Sequence, residues 1–182
     1  MKSLNDFFED GELTNLLRNN IDDPWHGTKF QGYVNLTNRK KGIFGEKLVS
    51  KIMISRYRSE VISANNYGHD RIIDGYKTEI KFSLSLNENR FMFNHISCNK
   101  DWERLILLGV NYNNFQMNWI HKKDFIENTG IFSRQQGGKK VENDDFMFSG
   151  NYKTLLASGI LQSMNDWFNG GKKRIGLENH YG

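Results

Sequence analysis

A chain of 182 residues, 37% hydrophobic and 13% aromatic, suffices for one domain with a real core, which excludes a disordered chain and any need for disulfides or a structural metal. The formal net charge of +4 fits a polyanionic partner without specifying one. The single cysteine, Cys98, excludes an internal disulfide and a multi-cysteine zinc site, and fits a reducing compartment.

The amino-terminal stretch MKSLNDFFEDGELTNLL carries acidic residues where a secretory leader needs an unbroken apolar run. No apolar run approaches the ~20 residues needed to cross a bilayer, so a cytoplasmic protein with no membrane partner is expected. Within residues 1–22, Leu4, Phe7, Phe8, Leu13, Leu16 and Leu17 recur at helical spacing and predict one or two short helices. DDPWHGTKFQGY, with the only proline, reads as an irregular connector.

KGIFGEKLVSKIMISRY predicts the first long helix, with Phe44, Leu48, Val49, Ile52 and Met53 on one face and Lys47 and Lys51 off it. Glu46 projects about 20° from Met53 on a helical wheel, at the edge of the buried face, where it can reach a cleft. EVISANN predicts a short strand and a turn, and RFMFNHI an alternating strand. RLILLGV is a continuous apolar run of strand length, suited to burial on both faces. FQMNWI alternates, KKDFIEN predicts a short helix, and SRQQGGKKVENDD a long polar loop. YKTLLASGILQSMNDWF places Leu156, Ile160, Met164 and Trp167 at helical spacing and predicts a closing helix. The expected fold is α/β or α+β, a central mixed β-sheet flanked by helices. It forms one domain over residues 1–182, with 1–37 as a helical appendage and connector, and 38–182 as the core and C-terminal helix.

The stretch HDRIIDGYKTEIKFS carries the chemistry. Asp74-Gly75 is a favoured two-residue hairpin turn, so Ile73 pairs with Tyr76, Ile72 with Lys77 and Arg71 with Thr78. Extending that register sets Asp70 opposite Glu79, and Lys81 on the same face. Opposed carboxylates repel, and a hard divalent cation such as Mg²⁺ offsets the repulsion. With Lys81 beside it, the set suits metal-assisted hydrolysis of a phosphodiester. The plainer reading is an edge hairpin with solvent-facing carboxylates in which Lys81 simply pairs with Glu79, and a bulge would break the alignment. Asp74 is read as a turn residue.

GHD, an eight-residue interval and EIK resemble the catalytic hairpin of the PD-(D/E)xK nuclease superfamily, to which many type II restriction endonucleases belong. Asp70, Glu79 and Lys81 match its motif, and Glu46 matches the carboxylate often supplied by the preceding helix. The order of elements is similar over roughly residues 40–127, and the proline before the aspartate is replaced by His69. The resemblance implies a restriction-endonuclease-like core and Mg²⁺-dependent cleavage of double-stranded DNA. Asp70 and Glu79 would hold the metal, Lys81 would orient or help activate the attacking water, and Glu46 would act through a water or a second metal.

Other motifs are excluded or weaker. No Gly-x4-Gly-Lys-Ser/Thr phosphate loop is present, so no nucleotide cofactor is expected. The histidines lack His-x3-His spacing, and Asn94 and His95 read as strand or strand-end residues. Basic clusters lie at Arg39-Lys40-Lys41, Lys139-Lys140 and Lys172-Lys173-Arg174. Arg39, Lys40 and Lys41 lead into the nuclease-like helix and are placed to meet phosphates. In SRQQGGKK, Arg134, Gln135 and Gln136 are candidate base readers, with Lys139 and Lys140 beside them. A palindromic target would be read by a homodimer, an asymmetric one by a heterodimer or sequential nicks. The alternatives are a repair or junction-resolving nuclease and a non-catalytic DNA-binding module.

Overall fold

Helix α1, Asn38–Tyr57, shows how the apolar pattern becomes a layer. The Thr37 side chain caps it by accepting the amide of Lys40, and it ends where Arg58 turns left-handed with φ 55°. Phe44, Leu48, Val49, Ile52 and Met53 form its buried face, as their spacing predicts. A computed structural model describes residues 4–9, 11–14, 23–64, 68–86, 90–112, 114–134 and 145–167.

Among the described residues the strands form two sheets. The larger holds β1 (Val61–Ser63), β2 (Arg71–Ile73), β3 (Tyr76–Leu84), β5 (Arg104–Val110), β6 (Phe115–His121) and β9 (Gln162–Ser163), in the spatial order β1-β2-β3-β5-β6-β9. β3 and β5 run parallel and the other pairs antiparallel, so the sheet is mixed. The smaller sheet, which the sequence reading does not anticipate, holds β4 (Arg90–Ser97), β8 (Asp145–Asn151) and β7 (Ser133–Arg134), with β8 in the middle. The protein is therefore mixed α and β with a central mixed sheet and few helices. No helix among the described residues is long and apolar enough to cross a membrane.

β5 divides the core. Ile106, Leu108 and Val110 pack with α1, Ile80, Met117 and Trp119 on one face. Leu105 and Leu107 pack on the other with Phe91, Phe93 and Phe148 of the small sheet and Tyr152. Every residue of β5 is buried, as expected of a strand covered on both sides. The same alternation runs through β3. Ile80 and Phe82 face the α1 layer, which turns Glu79 and Lys81 toward the small sheet.

Gly45 sets the distance between α1 and β3. A Cβ there would lie 2.4 Å from the Cβ of Phe82, so only a glycine lets the helix approach this closely. Glu46, the next residue, is thereby brought against the hairpin.

Two expectations need correction. The closing segment is not one helix. Helix α3 (Tyr152–Ala157) stops before Gly159 at φ 74°, β9 follows and pairs with β6, and residues 164–167 form a helical turn. Leu156 is exposed, while Ile160, Met164 and Trp167 are buried from separate pieces. Ser133 and Arg134 leave the expected polar loop to pair with β8; residues 135–144 of that loop lie outside the described residues. At the N-terminus Leu4–Phe8 is a 3-10 helix that buries Phe7 and Phe8, whereas Leu16 and Leu17 lie outside the described residues. Helix α2 (Lys122–Glu127) forms as expected.

Candidate active site

The hairpin turn is built as its dipeptide predicts. Asp74 and Gly75 both take positive φ, 51° and 83°, and Ile73–Tyr76, Ile72–Lys77 and Arg71–Thr78 pair across it. Asp74 is structural: its carboxylate accepts the Glu60 amide and the Trp167 indole N–H, each at 2.9 Å.

Asp70 departs from the expected register. The ladder ends at Arg71–Thr78, and the Asp70 amide donates to the Thr78 carbonyl instead of meeting Glu79 across a regular pair. Its carboxylate accepts the Ile80 amide at 2.7 Å and so bends over the end of the ladder. Burial raises the Asp70 pKa above the usual aspartate value, and the nearby Glu79 charge raises it further.

Glu79 is fully buried. Its Oε1 accepts from Lys81 Nζ at 2.7 Å and from Lys100 Nζ at 2.9 Å, while its buried Oε2 has no hydrogen-bond partner. Such an oxygen is costly to keep desolvated, and this is the strongest sign that the site is built for something further. Lys81 shares the face of Glu79 as expected.

Lys100 was not foreseen, because it arrives from a loop after β4 with no motif around it. That loop is anchored firmly. The Lys100 carbonyl accepts from the Trp102 amide and from Lys122 Nζ at 2.5 Å. Asp101 pairs with Lys77 at 2.6 Å, and its carbonyl lies 3.1 Å from Nδ1 of buried His69. A carbonyl can only accept, so His69 Nδ1 carries the proton there. Burial pulls the Lys100 pKa down, but the hydrogen bond and charge of Glu79 outweigh it and leave the pKa raised.

Glu46 reaches the same place from α1 and pairs with Arg71 at 2.7 Å. Its pKa is raised, first by burial and then by the Asp70 charge. Three carboxylates and three basic side chains thus meet between α1, the hairpin and the loop of Lys100. Among them Glu46, Asp70 and Lys81 border an open cleft of about 610 Å³ whose lining also includes Lys41, Asn94 and His95. Asn94 and His95 sit in a one-residue bulge of β4, with His95 at φ 55°. They belong to a strand, as expected, and the bulge brings both to the cleft wall.

The DNA-contact candidates divide. Arg39, Lys40 and Lys41 form the first turn of α1; Arg39 and Lys40 are exposed, and Lys41 lines the cleft. Arg134 is exposed on β7, and it does not line the cleft. Gln135, Gln136, Lys139, Lys140 and the cluster at residues 172–174 lie outside the described residues.

Among the described residues, no group of three or more His, Cys, Asp or Glu could hold a metal ion as the side chains lie. Mg²⁺ asks for less: one or two carboxylates, with water and substrate phosphate completing its shell. The donor set fits it, since Asp70 and Glu79 are hard oxygen donors and Glu79 Oε2 is unclaimed. No protein-family model matches the chain, and no curated protein matches it.

Proposed function

We propose that the chain is a Mg²⁺-dependent endonuclease of the PD-(D/E)xK kind that cuts double-stranded DNA at specific sites, as type II restriction enzymes do. On this reading the central sheet with α1 against β3 is a restriction-endonuclease-like core. One observation carries the proposal: a fully buried Glu79 with an unpartnered oxygen shares its surroundings with Asp70, Glu46 and Lys81 beside an open cleft. A surface carboxylate of an ordinary edge hairpin would be solvated, and Glu79 is not.

Asp70 and Glu79 would hold the cation, which supplies the positive charge that polarises the phosphodiester and acidifies water. The raised pKa values of Asp70 and Glu46 fit a site whose negative charge awaits a cation. Lys81 donates to the attacking water and to the phosphate oxygen on which charge develops. Glu46 accepts from a water in the cleft and orients it. Lys41, at the cleft wall, neutralises a flanking phosphate, with Arg39 and Lys40 following the backbone outward. A palindromic target calls for a homodimer.

The test is cleavage of plasmid and long linear DNA with Mg²⁺, with EDTA, and by Lys81→Ala. Discrete fragments that disappear in EDTA and with the variant support a site-specific nuclease. Cleavage confined to branched or damaged DNA would replace the restriction reading with a repair one. Tight binding without cleavage, on any DNA and with either Mg²⁺ or Mn²⁺, would leave a binding module.

A further inference from the structure

Glu79 bears one negative charge, yet its Oε1 receives two ammonium groups, Lys81 at 2.7 Å and Lys100 at 2.9 Å. Charged Asp70 and Glu46 lie nearby, yet both cations converge on one oxygen of Glu79, and that convergence calls for an explanation. The two differ in what they can reach. Lys81 lines the cleft with Glu46 and Asp70, and Lys100 does not. Lys100 is instead set by its backbone: Trp102 and Lys122 hold its carbonyl, and His69 and Lys77 hold the neighbouring Asp101.

The nuclease reading, on which this inference rests, asks Lys81 to turn toward water and phosphate. Were Lys81 the sole partner, that turn would strand a fully buried charge, which is strongly unfavourable. We propose that Lys100 is a positioning residue that holds Glu79 charged and in place while Lys81 leaves it for the substrate. The two lysines share one carboxylate oxygen, Lys81 serving the cleft and Lys100 serving Glu79. His69 then has a role of its own, since it ties the residue before Asp70 to the loop that presents Lys100.

The experiment compares the full chain with Lys81→Ala, Lys100→Ala, Lys100→Arg and the double alanine variant. Thermal unfolding in EDTA reads whether the lysines substitute for each other. Each single variant keeps one cation on Glu79 and should lose little, whereas the double variant should lose roughly 5 °C or more beyond the sum of the singles. Single-turnover cleavage in Mg²⁺ reads the handover. Lys100→Ala should cleave about 10- to 100-fold more slowly at saturating DNA. Its DNA affinity in Ca²⁺ should be unchanged, and Lys100→Arg should recover most of the rate.

Additive losses in Tm would overturn the proposal, because the lysines would then not share Glu79. Wild-type cleavage rates in Lys100→Ala would overturn it while leaving the nuclease reading intact. A wild-type protein inert on every DNA and metal would overturn both.

Discussion

Two charges are fully buried on neighbouring strands of the central sheet, Glu79 on β3 and Arg104 on β5, and their surroundings could hardly differ more. Arg104 pairs in register with Thr78, one residue before Glu79, so the two side chains leave opposite faces of the sheet. The Arg104 guanidinium sits 3.4 Å from the ring centre of Tyr76, 4.3 Å from that of Trp167 and 4.5 Å from that of Trp119. This is a sealed aromatic box in which cation–π attraction and packing replace water. Glu79 is held by two lysines, and its neighbours Lys81 and Asp70 line an open cleft. Burial of a charge is therefore no mark of a site by itself. What separates the two is whether the groups around the charge border open space and can themselves titrate.

The largest effect expected from this contrast lies at Glu79. Glu79→Gln preserves shape and should slow DNA cleavage roughly 10²–10³-fold. Its thermal midpoint should barely move, because the charge removed is the buried one and both lysines can reach solvent. A collapse in stability with little change in rate would erase the contrast.

Arg104 should behave in reverse. Arg104→Ala empties the aromatic box and should cost about 3–5 kcal/mol in urea unfolding. Arg104→Met refills it and should stay within about 1.5 kcal/mol of wild type, with cleavage unaffected.

Gly45→Ala should cost about 1–3 kcal/mol by thermal or urea unfolding, because its new Cβ meets the Phe82 Cβ and not the yielding tip of a side chain. Cleavage should fall with it, since Glu46 moves with the helix; full activity would show that the placement of Glu46 is unimportant.

The smallest effect is a pH dependence. Asp70 has a raised pKa in the folded protein, from burial and from Glu79, so the folded state holds its proton more tightly than the unfolded chain. The metal-free protein is then favoured below the unfolded aspartate value and loses stability as pH rises through the folded one. Asp70→Asn should flatten that dependence and raise the neutral-pH melting temperature in EDTA by a few degrees. Cleavage by the wild type should rise with pH across the same window, above the range of an ordinary aspartate. An acid limb at the ordinary value would break the link between the strained carboxylates and activity.

How much of this was legible in the sequence depended on distance along the chain. The Asp74-Gly75 turn, its three strand pairs, the buried face of α1 and the two-sided burial of β5 were all readable, because each follows from backbone sterics and side-chain period over a few residues. A regular ladder extended from the turn misplaces Asp70, because its carboxylate takes the Ile80 amide. Strand β8 is not legible in the sequence, because its short alternation, Phe146 and Phe148, is meaningful only once β4 lies beside it. Helical spacing of Leu156, Ile160, Met164 and Trp167 predicts one closing helix, which Gly159 at positive φ interrupts.

The sequence by itself determined the hairpin, with its Glu-x-Lys face, and the helix whose edge carries Glu46, since these depend on local period and turn chemistry. Only the tertiary structure decided that Lys100, 21 residues from Glu79, shares its oxygen, that Arg71 pairs with Glu46 across two elements, and that Asn94 and His95 face the cleft. Those meetings depend on loop paths, a bulge and the close approach at Gly45. No short stretch of sequence encodes them, because each is settled by which distant surfaces pack together.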